Sequence, residues 1–226
     1  RLMDGTTFDS IVDPRMAIMF TASPDGIFRG VSPSAGDPNN AANNVRRVPN
    51  LWGALAVVPT TGKWIFDMKA PHQIMTYYEM QFIKAEAAFS KNNFALAYDA
   101  FIKGVSAHLD FIGVAAAAKT AYLTSRAIPQ SASELKLSDI MLQKYIALYA
   151  MNSCETWTDM RRYDYSDEVY IGISFPTSLF PDNQGKKAYR VRPRFNSEYV
   201  WNLKSLDVIG GNDADYHTKK PWFAEK

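Results

Sequence analysis

The hydrophobic positions between residues 73 and 112 repeat with the period of α-helices. No Gly or Pro interrupts residues 73–89. The apolar positions there are spaced by three or four residues: Ile74, Tyr78, Phe82, Ala85 and Phe89. After Asn92-Asn93, a second stripe of the same kind follows: Phe94, Ala97, Phe101, Val105 and Leu109. The two stripes predict amphipathic helices, and the short break between them predicts an antiparallel helical hairpin over residues 73–112.

One more helical stretch is predicted further along the chain. Ser138 is a suitable N-cap with Asp139 in the first turn, and the apolar pattern continues to about Tyr163. Asn152-Ser153 is expected to divide this stretch into two helices. Residues 111–137 stay ambiguous between a helix and a link.

Two long segments, residues 1–71 and 164–226, lack a helical period and have the composition of structured loops. Seven of the twelve prolines fall within the first of them. Two short runs there, Met16–Phe20 and Lys63–Phe66, have the composition of β-strands. The predicted fold class is therefore mainly α, with helical hairpins, long structured loops and few short strands.

Composition and charge exclude several classes of protein. The 226 residues carry 25 Lys and Arg against 23 Asp and Glu, so nothing draws the chain to nucleic acid or an anionic membrane. The single cysteine, Cys154, excludes an intrachain disulfide and a Cys-rich metal site. No apolar run reaches the roughly 20 residues of a bilayer span. Because the chain opens on Arg1, we expect a mature chain or an internal piece of a longer one.

The helical hairpin has the pattern of a repeat unit. Ala97-x3-Phe101-x2-Gly104 matches the second helix of a tetratricopeptide unit. One such unit does not bury its own apolar face, and repeat arrays need about three units for stability. We therefore expect that neighbouring units lie outside this chain.

A set of short stretches, taken in order, gives the sequence a more specific resemblance. They cover residues 10–226 and include Asp13-Pro14-Arg15, Phe28-Arg29-Gly30, Tyr77 to Ala87, Ile140 to Leu148, Glu155 to Arg162, Arg194 to Glu198 and Lys220 to Phe223. With these stretches the chain resembles the C-terminal half of a SusD/RagB-family outer-membrane nutrient-binding lipoprotein. It departs from the family pattern at Cys154, where Gly is usual, and in the loop at residues 163–167.

The resemblance implies an architecture, a location and partners. The fold would be a SusD-like α-α superhelix with tetratricopeptide-like hairpins, and residues 1–226 would be the C-terminal part of a single domain. The protein would face outward on the outer membrane, lipid-anchored through an N-terminus that this chain lacks. It would capture glycans or oligosaccharides for a TonB-dependent, SusC-like transporter, together with the missing N-terminal half of the same protein.

The residues give little support to catalysis. Three isolated histidines, His72, His108 and His217, accompany no nucleophile elbow, zinc helix or phosphate-binding loop. Glu79 and Glu86 lie two helical turns apart, about 10 Å along one helix face, whereas a glycosidase needs carboxyl groups that face each other across the substrate. We predict a protein that is not an enzyme, with no catalytic residue, no metal and no cofactor.

Three other features have structural interpretations. Asp159 and Arg162 form an i,i+3 pair at a helix end. The basic run from Lys186 to Arg194 is interpreted as a solvated or partner-facing loop, without nucleic-acid binding. The oxygen-rich segment Gly210–His217 is interpreted as a turn, and calcium binding there stays open as an alternative.

Aromatic side chains in loops are the best candidates for ligand contacts, because sugars present apolar faces as well as hydroxyl groups. We predict a site in the loop before the first long helix, with Trp52 and Trp64 as aromatic platforms and Asn50 and Asp67 as polar contacts. Two other functions stay open: binding of peptides or other oligomeric nutrients on the same scaffold, and a helical-repeat scaffold that binds only proteins.

Overall fold

The computed structural model describes residues 1–32, 36–49, 69–70, 72–176, 178–179, 181–192 and 195–225. These residues form eight α-helices and no β-strand, which confirms the mainly α fold class without the few short strands. The helices are α1 (Met16–Met19), α2 (Tyr77–Ser90), α3 (Phe94–Ile112), α4 (Ala116–Leu123), α5 (Leu137–Leu148), α6 (Ser153–Arg162), α7 (Phe195–Trp201) and α8 (Leu203–Val208). None of the helices in the described ranges combines the length and apolar content needed to cross a membrane.

The chain divides into two compact units. The first comprises residues 1–157 and 166–174, and the second comprises residues 158–165 and 175–226. The first unit contains α1 to α5 and the start of α6, and the second contains the end of α6 with α7 and α8.

The predicted hairpin is formed by α2 and α3, and it is the core of the first unit. Thr76 caps α2 by accepting a hydrogen bond from the Glu79 amide at 3.3 Å. Both helices bury most of their predicted stripes, although Phe94 is 41% exposed. Six of these side chains have no accessible surface: Phe82, Ala85, Ala97, Phe101, Val105 and Leu109. The helices approach closely at Gly104, where a Cβ atom would lie 3.0 Å from the Phe82 ring. Helix α5 packs on α2 and α3 with an almost wholly buried apolar face.

Two predictions about the chain before α2 are wrong. Met16–Phe20 is not a strand: residues 16–19 form helix α1, with the Met19 amide bonded to the Arg15 carbonyl at 2.8 Å. A run of five apolar residues suits either structure, and the anchoring of Arg15 described below decides for the helix. Ile74 does not lie on the buried stripe, because α2 begins only after the Thr76 cap, and Ile74 is 94% exposed.

The start of α5 and the C-terminal loops also differ from the prediction. Ser138 is not the N-cap: the Asp139 carboxylate accepts the backbone N–H of Lys136 at 2.8 Å, so the helix begins at Leu137 and Ser138 is buried within it. The segment predicted as loop after residue 164 contains helices α7 and α8, separated by Asn202. The expected break at Asn152-Ser153 is confirmed, because α5 ends at Leu148 and α6 begins at Ser153.

Candidate functional site

The four residues predicted to bind the ligand are Asn50, Trp52, Trp64 and Asp67, and all of them lie outside the described residues. Their assignment therefore stays a prediction. The run Lys63–Phe66, predicted as a strand, also lies outside the described residues. The described part of the first unit contains a buried polar network and two cavities, and these are the features from which a site can be built.

Arg15 lies at the centre of the buried network and has no accessible surface. Its guanidinium group donates to both Asp13 carboxylate oxygens, from Nε at 2.9 Å to Oδ1 and from Nη2 at 2.5 Å to Oδ2. Nη2 also donates to Gln143 Oε1 on α5 at 2.7 Å, and Nη1 lies 2.8 Å from His108 Nδ1 on α3. Gln143 in turn donates to the Tyr122 hydroxyl at 3.2 Å. Arg15 thus ties the N-terminal segment to three helices.

The contact with Arg15 determines the state of His108. Because a guanidinium group only donates hydrogen bonds, His108 Nδ1 is the acceptor, and the proton of the neutral ring is on Nε2. Burial, followed by the charge of Arg15, lowers the pKa of His108 well below its ordinary value. The paired carboxylate of Asp13 keeps Arg15 charged, and the net charge of the Asp13–Arg15–His108 cluster is zero.

The network fixes the position of α1. The Asp13 carboxylate accepts the backbone N–H of Arg15 at 2.9 Å as well as its side chain, so the turn before α1 is held from both sides. Helix α1 follows at once and presents Met16, Met19 and then Phe20. These three side chains line the larger of the two cavities.

The larger cavity, here named the Tyr149 cavity, has a volume of about 480 Å³ and lies within the first unit. Its walls come from the N-terminal segment, α1, the loop after α1, the end of α5 and residues 172–174. The aromatic residues in its lining are Phe20, Phe28, Tyr145 and Tyr149, and the methionines are Met3, Met16 and Met19. The Phe20 and Tyr149 rings lie 5.5 Å apart between centroids at 55°, so they form a tilted pair.

Two tyrosines give the cavity polar groups. Tyr145 and Tyr149 lie one turn apart on α5 and its C-cap, and both are half-buried. Burial raises the pKa of each hydroxyl, and for Tyr145 the neighbouring Tyr149 adds to this effect. The two hydroxyl groups therefore stay protonated at physiological pH and act as donors as well as acceptors. Ser32 and Ser174 add two further hydroxyl groups to the lining.

The charged side chains at this cavity are compensated. Arg29 lines the cavity and forms a two-point ion pair with Asp25, at 2.5 Å and 2.8 Å. The hydrogen bond from Arg29 lowers the pKa of Asp25, and the same bond raises the pKa of Arg29. Arg1 and Asp4 are the other charged residues in the lining. The four side chains together carry no net charge.

The second cavity, here named the Glu79 cavity, has a volume of about 380 Å³. The N-cap residues of two helices line it, Thr76 of α2 and Asn152 before α6, whose Oδ1 accepts from the Glu155 amide at 3.3 Å. Glu79, in the first turn of α2, is 6% exposed and also lines it. Helix N-termini stabilise nearby carboxylates, so a glutamate in the first turn of α2 suits the helix.

Four aromatic residues of the segment predicted as loop after residue 164 divide into buried anchors and exposed rings, and Trp201 among them lies in α7. Tyr165 and Tyr170 are buried at 8% and 1% exposure, so they anchor loops. Trp201 and Trp222 are 85% and 84% exposed. The predicted i,i+3 pair is confirmed, with Arg162 donating to Asp159 at 2.7 Å.

The carboxylates of the oxygen-rich segment at residues 210–217 are paired with a lysine side chain that follows the segment. The ammonium group of Lys219 lies 2.6 Å from Asp213 and 3.1 Å from Asp215, which are the carboxylates that calcium would need. Across the described ranges, no three or more His, Cys, Asp or Glu side chains converge as a metal site would require.

Sequence reasoning missed the buried network and the Tyr149 cavity. Asp13-Pro14-Arg15 and Gln143 were noticed only as parts of a family pattern, and His108 was interpreted as isolated. The available signal was an Asp–Arg pair two residues apart beside apolar Met16–Phe20, together with a histidine on the buried stripe of α3. Neither feature shows that these residues meet in the folded protein.

Together, the described residues form an α-helical scaffold with two cavities. Comparison with known families matches residues 6–171 to the SusD-like family, described as "Starch-binding associating with outer membrane". The match covers nearly three quarters of the 226 residues, and the chain belongs to this family. Members of the family are glycan-binding proteins of nutrient uptake. No curated protein and no solved structure matches the chain.

Proposed function

We propose that the protein captures glycans or oligosaccharides at the outer face of the outer membrane, for import through a TonB-dependent, SusC-like transporter. The family match over residues 6–171 is the observation that carries this proposal. The matched stretch includes α1 to α6 and eleven of the eighteen residues that line the Tyr149 cavity. All four aromatic residues of this cavity lie within the matched stretch.

Along the chain, residues of the two cavities precede and follow the segment predicted to bind ligand. Ser32 of the Tyr149 cavity precedes this segment in the chain, and His72 of the Glu79 cavity follows it. Trp52 and Trp64, with Asn50 and Asp67, remain our proposed contacts in the stretch between them. This order supports a ligand site formed by several loops of the first unit.

Binding is proposed to occur without cleavage of the glycan. Glu79 and Glu86 are both buried, at 6% and 7% exposure, and they follow one another along α2. Their positions suit a structural role, because a glycosidase needs two carboxyl groups on opposite sides of a substrate.

Exposed apolar residues before and at the start of α2 support the proposed partnership with an N-terminal half of the same protein, which would also carry the lipid anchor. Ile74, Met75, Tyr77 and Met80 are between 53% and 94% exposed. Such a cluster is unusual on a solvent-facing surface and is typical of a contact face. A further tetratricopeptide-like hairpin stacked against α2 would bury it.

A second candidate ligand is a peptide, and the methionines of the Tyr149 cavity favour it. Met3, Met16 and Met19 provide a deformable apolar surface that suits apolar side chains of varied shape. The hydroxyl groups and the balanced charges of the same cavity favour a sugar. For this reason we rank peptides second.

The proposal is tested by calorimetric titration with a panel of neutral and acidic oligosaccharides and a matched panel of tri- to hexapeptides. We expect saturable binding of at least one oligosaccharide and none of the peptides. Binding of peptides alone would replace the glycan proposal by the second candidate. Binding of neither class would contradict nutrient capture by this chain.

A further inference from the structure

The walls of the Tyr149 cavity suit the ring of a sugar. Four aromatic side chains line it, and its volume of about 480 Å³ lies in the range of small-molecule sites. Phe20, Phe28 and Tyr145 are half-buried, so each ring presents part of its surface to the cavity. The C–H face of a sugar ring packs on such surfaces.

The polar groups of this cavity suit the edge of a sugar ring. The Tyr145 hydroxyl makes no hydrogen bond to any residue that the structure describes, although half of its side chain is buried. Ser32 and Ser174 lie on exposed loops of the lining. A half-buried hydroxyl group that both donates and accepts is well matched to the hydroxyl groups of a sugar.

The charges at the cavity distinguish neutral sugars from acidic ones. Arg1 and Arg29 are the cations in the lining, and both terminal nitrogens of Arg29 are engaged by Asp25. The side chains of Arg29 and Asp25 are only 22% and 25% exposed, so an acidic ligand would have to displace Asp25 or approach its charge. Asp4 also lines the cavity, and its negative charge offsets the positive charge of Arg1.

We propose that the Tyr149 cavity is a subsite for one neutral sugar ring, and that the Asp25–Arg29 pair disfavours acidic sugars there. This inference rests on the proposed function, since it assigns part of the glycan to a place in the fold. It also names the class of substrate, which is an uncharged oligosaccharide.

The test uses the full chain and two probes of equal length, maltoheptaose as the neutral oligosaccharide and heptagalacturonate as the acidic one. Wild type is expected to bind maltoheptaose more tightly. Phe28→Ala should weaken maltoheptaose binding by about 30-fold, the effect of removing an aromatic hot spot. Tyr145→Phe, which removes only a hydroxyl group, should weaken it by about fivefold.

Asp25→Asn tests the charge pair, because it leaves Arg29 charged and without its carboxylate partner. The ratio of heptagalacturonate affinity to maltoheptaose affinity should rise by about fivefold and fall again at high salt. Trp201→Ala is the matched control, since this exposed ring belongs to the second unit, and its removal should change neither affinity. Melting temperatures identify variants that fail to fold, and Tyr145→Phe keeps the test valid if Phe28→Ala is one of them.

The outcomes separate this inference from the function on which it rests. If wild type binds maltoheptaose and the cavity variants bind it equally well, the subsite is wrong while glycan capture stands. A tighter wild-type complex with heptagalacturonate, or an unchanged affinity ratio in Asp25→Asn, contradicts the charge selection. If wild type binds neither probe nor any other glycan of the panel, both the subsite and the proposed function fall.

Discussion

Two clusters, each built around an ion pair of one aspartate and one basic residue, differ sharply in their surroundings. In the first unit, Arg15 pairs with Asp13 at 0% and 1% side-chain exposure. In the second unit, Lys220 pairs with Asp164 at 3.0 Å, with 39% and 47% exposure, and the Tyr189 hydroxyl donates to the same carboxylate. Each cluster joins distant parts of the chain, but only in the first cluster are the charged groups buried away from solvent.

Burial changes how much an ion pair contributes to the stability of the fold. An exposed pair gains little, because water solvates the separated charges almost as well. A buried pair has already lost that hydration, so removing one partner leaves a charge with nothing to compensate it. We therefore interpret the Arg15 network as a requirement for the first unit's fold, and the Asp164 cluster as a modest attachment of the C-terminal segment.

The largest expected effect is that of Arg15→Met. It leaves Asp13 buried and unpaired and should lower the free energy of unfolding by about 3–5 kcal/mol. The matched variant in the second unit, Lys220→Met, should lower it by about 0–1 kcal/mol. Urea denaturation measures both values. Equal losses of unfolding free energy in the two variants would show that burial does not distinguish the two ion pairs. Partial recovery of stability in the double variant Arg15→Met, Asp13→Asn would show that the unpaired Asp13 charge causes the loss.

The next effect is the pH dependence that His108 gives to the first unit. Its pKa is lowered in the folded protein, chiefly by burial and then by Arg15, while Asp13, Tyr78 and Tyr122 lie in the same cluster. Below about pH 6.5, His108 is protonated in the unfolded chain but stays neutral in the folded protein until the pH is considerably lower. Stability is therefore fully present above that pH and falls as the pH drops, with a limiting slope of about 1.4 kcal/mol per pH unit.

Urea titrations at several pH values between 7 and 5 measure this loss. His108→Gln, whose side-chain oxygen can still accept from Arg15, should remove most of the pH dependence in this window. If the variant and wild type lose stability in parallel, the titrating group lies elsewhere.

The smallest effect is expected in the second unit. The hydrogen bond from Tyr189, followed by Lys220, lowers the pKa of Asp164. The stability that this pair contributes is therefore present above about pH 4 and is lost as the pH falls further. Tyr189→Phe should cost about 1 kcal/mol at neutral pH and less in acid, as measured by thermal unfolding. A cost as large as that of Arg15→Met would show that exposure does not separate the clusters.

The sequence predicted local structure well where the chain is periodic. The stripes of α2 and α3 were found because Phe82, Phe101 and Val105 recur at the helical spacing, and the break before α6 because Asn152 is a strong helix initiator. The prediction failed for Met16–Phe20, where five apolar residues carry no period. It failed also in the C-terminal segment, where α7 and α8 are too short for a stripe to stand out.

The candidate site was less accessible to sequence reasoning for a physical reason. Arg15 lies 93 residues from His108 and 128 residues from Gln143 along the chain, and only tertiary packing brings them together. The Tyr149 cavity likewise takes Phe20 and Phe28 from loops and Tyr145 from α5. Contacts between residues so far apart in the chain leave no local sequence pattern. The loop tryptophans Trp52 and Trp64 were therefore selected from the sequence instead.

The central claim is that this chain binds a glycan and leaves it intact, and one measurement tests it most directly. The protein is titrated with the oligosaccharide that it binds, and after a day at saturation the sugar is recovered for mass spectrometry and a reducing-end assay. We predict saturable binding, an oligosaccharide of unchanged mass and no new reducing ends. Shortened products that depend on intact Glu79 or Glu86 would contradict the account, and so would the absence of saturable binding.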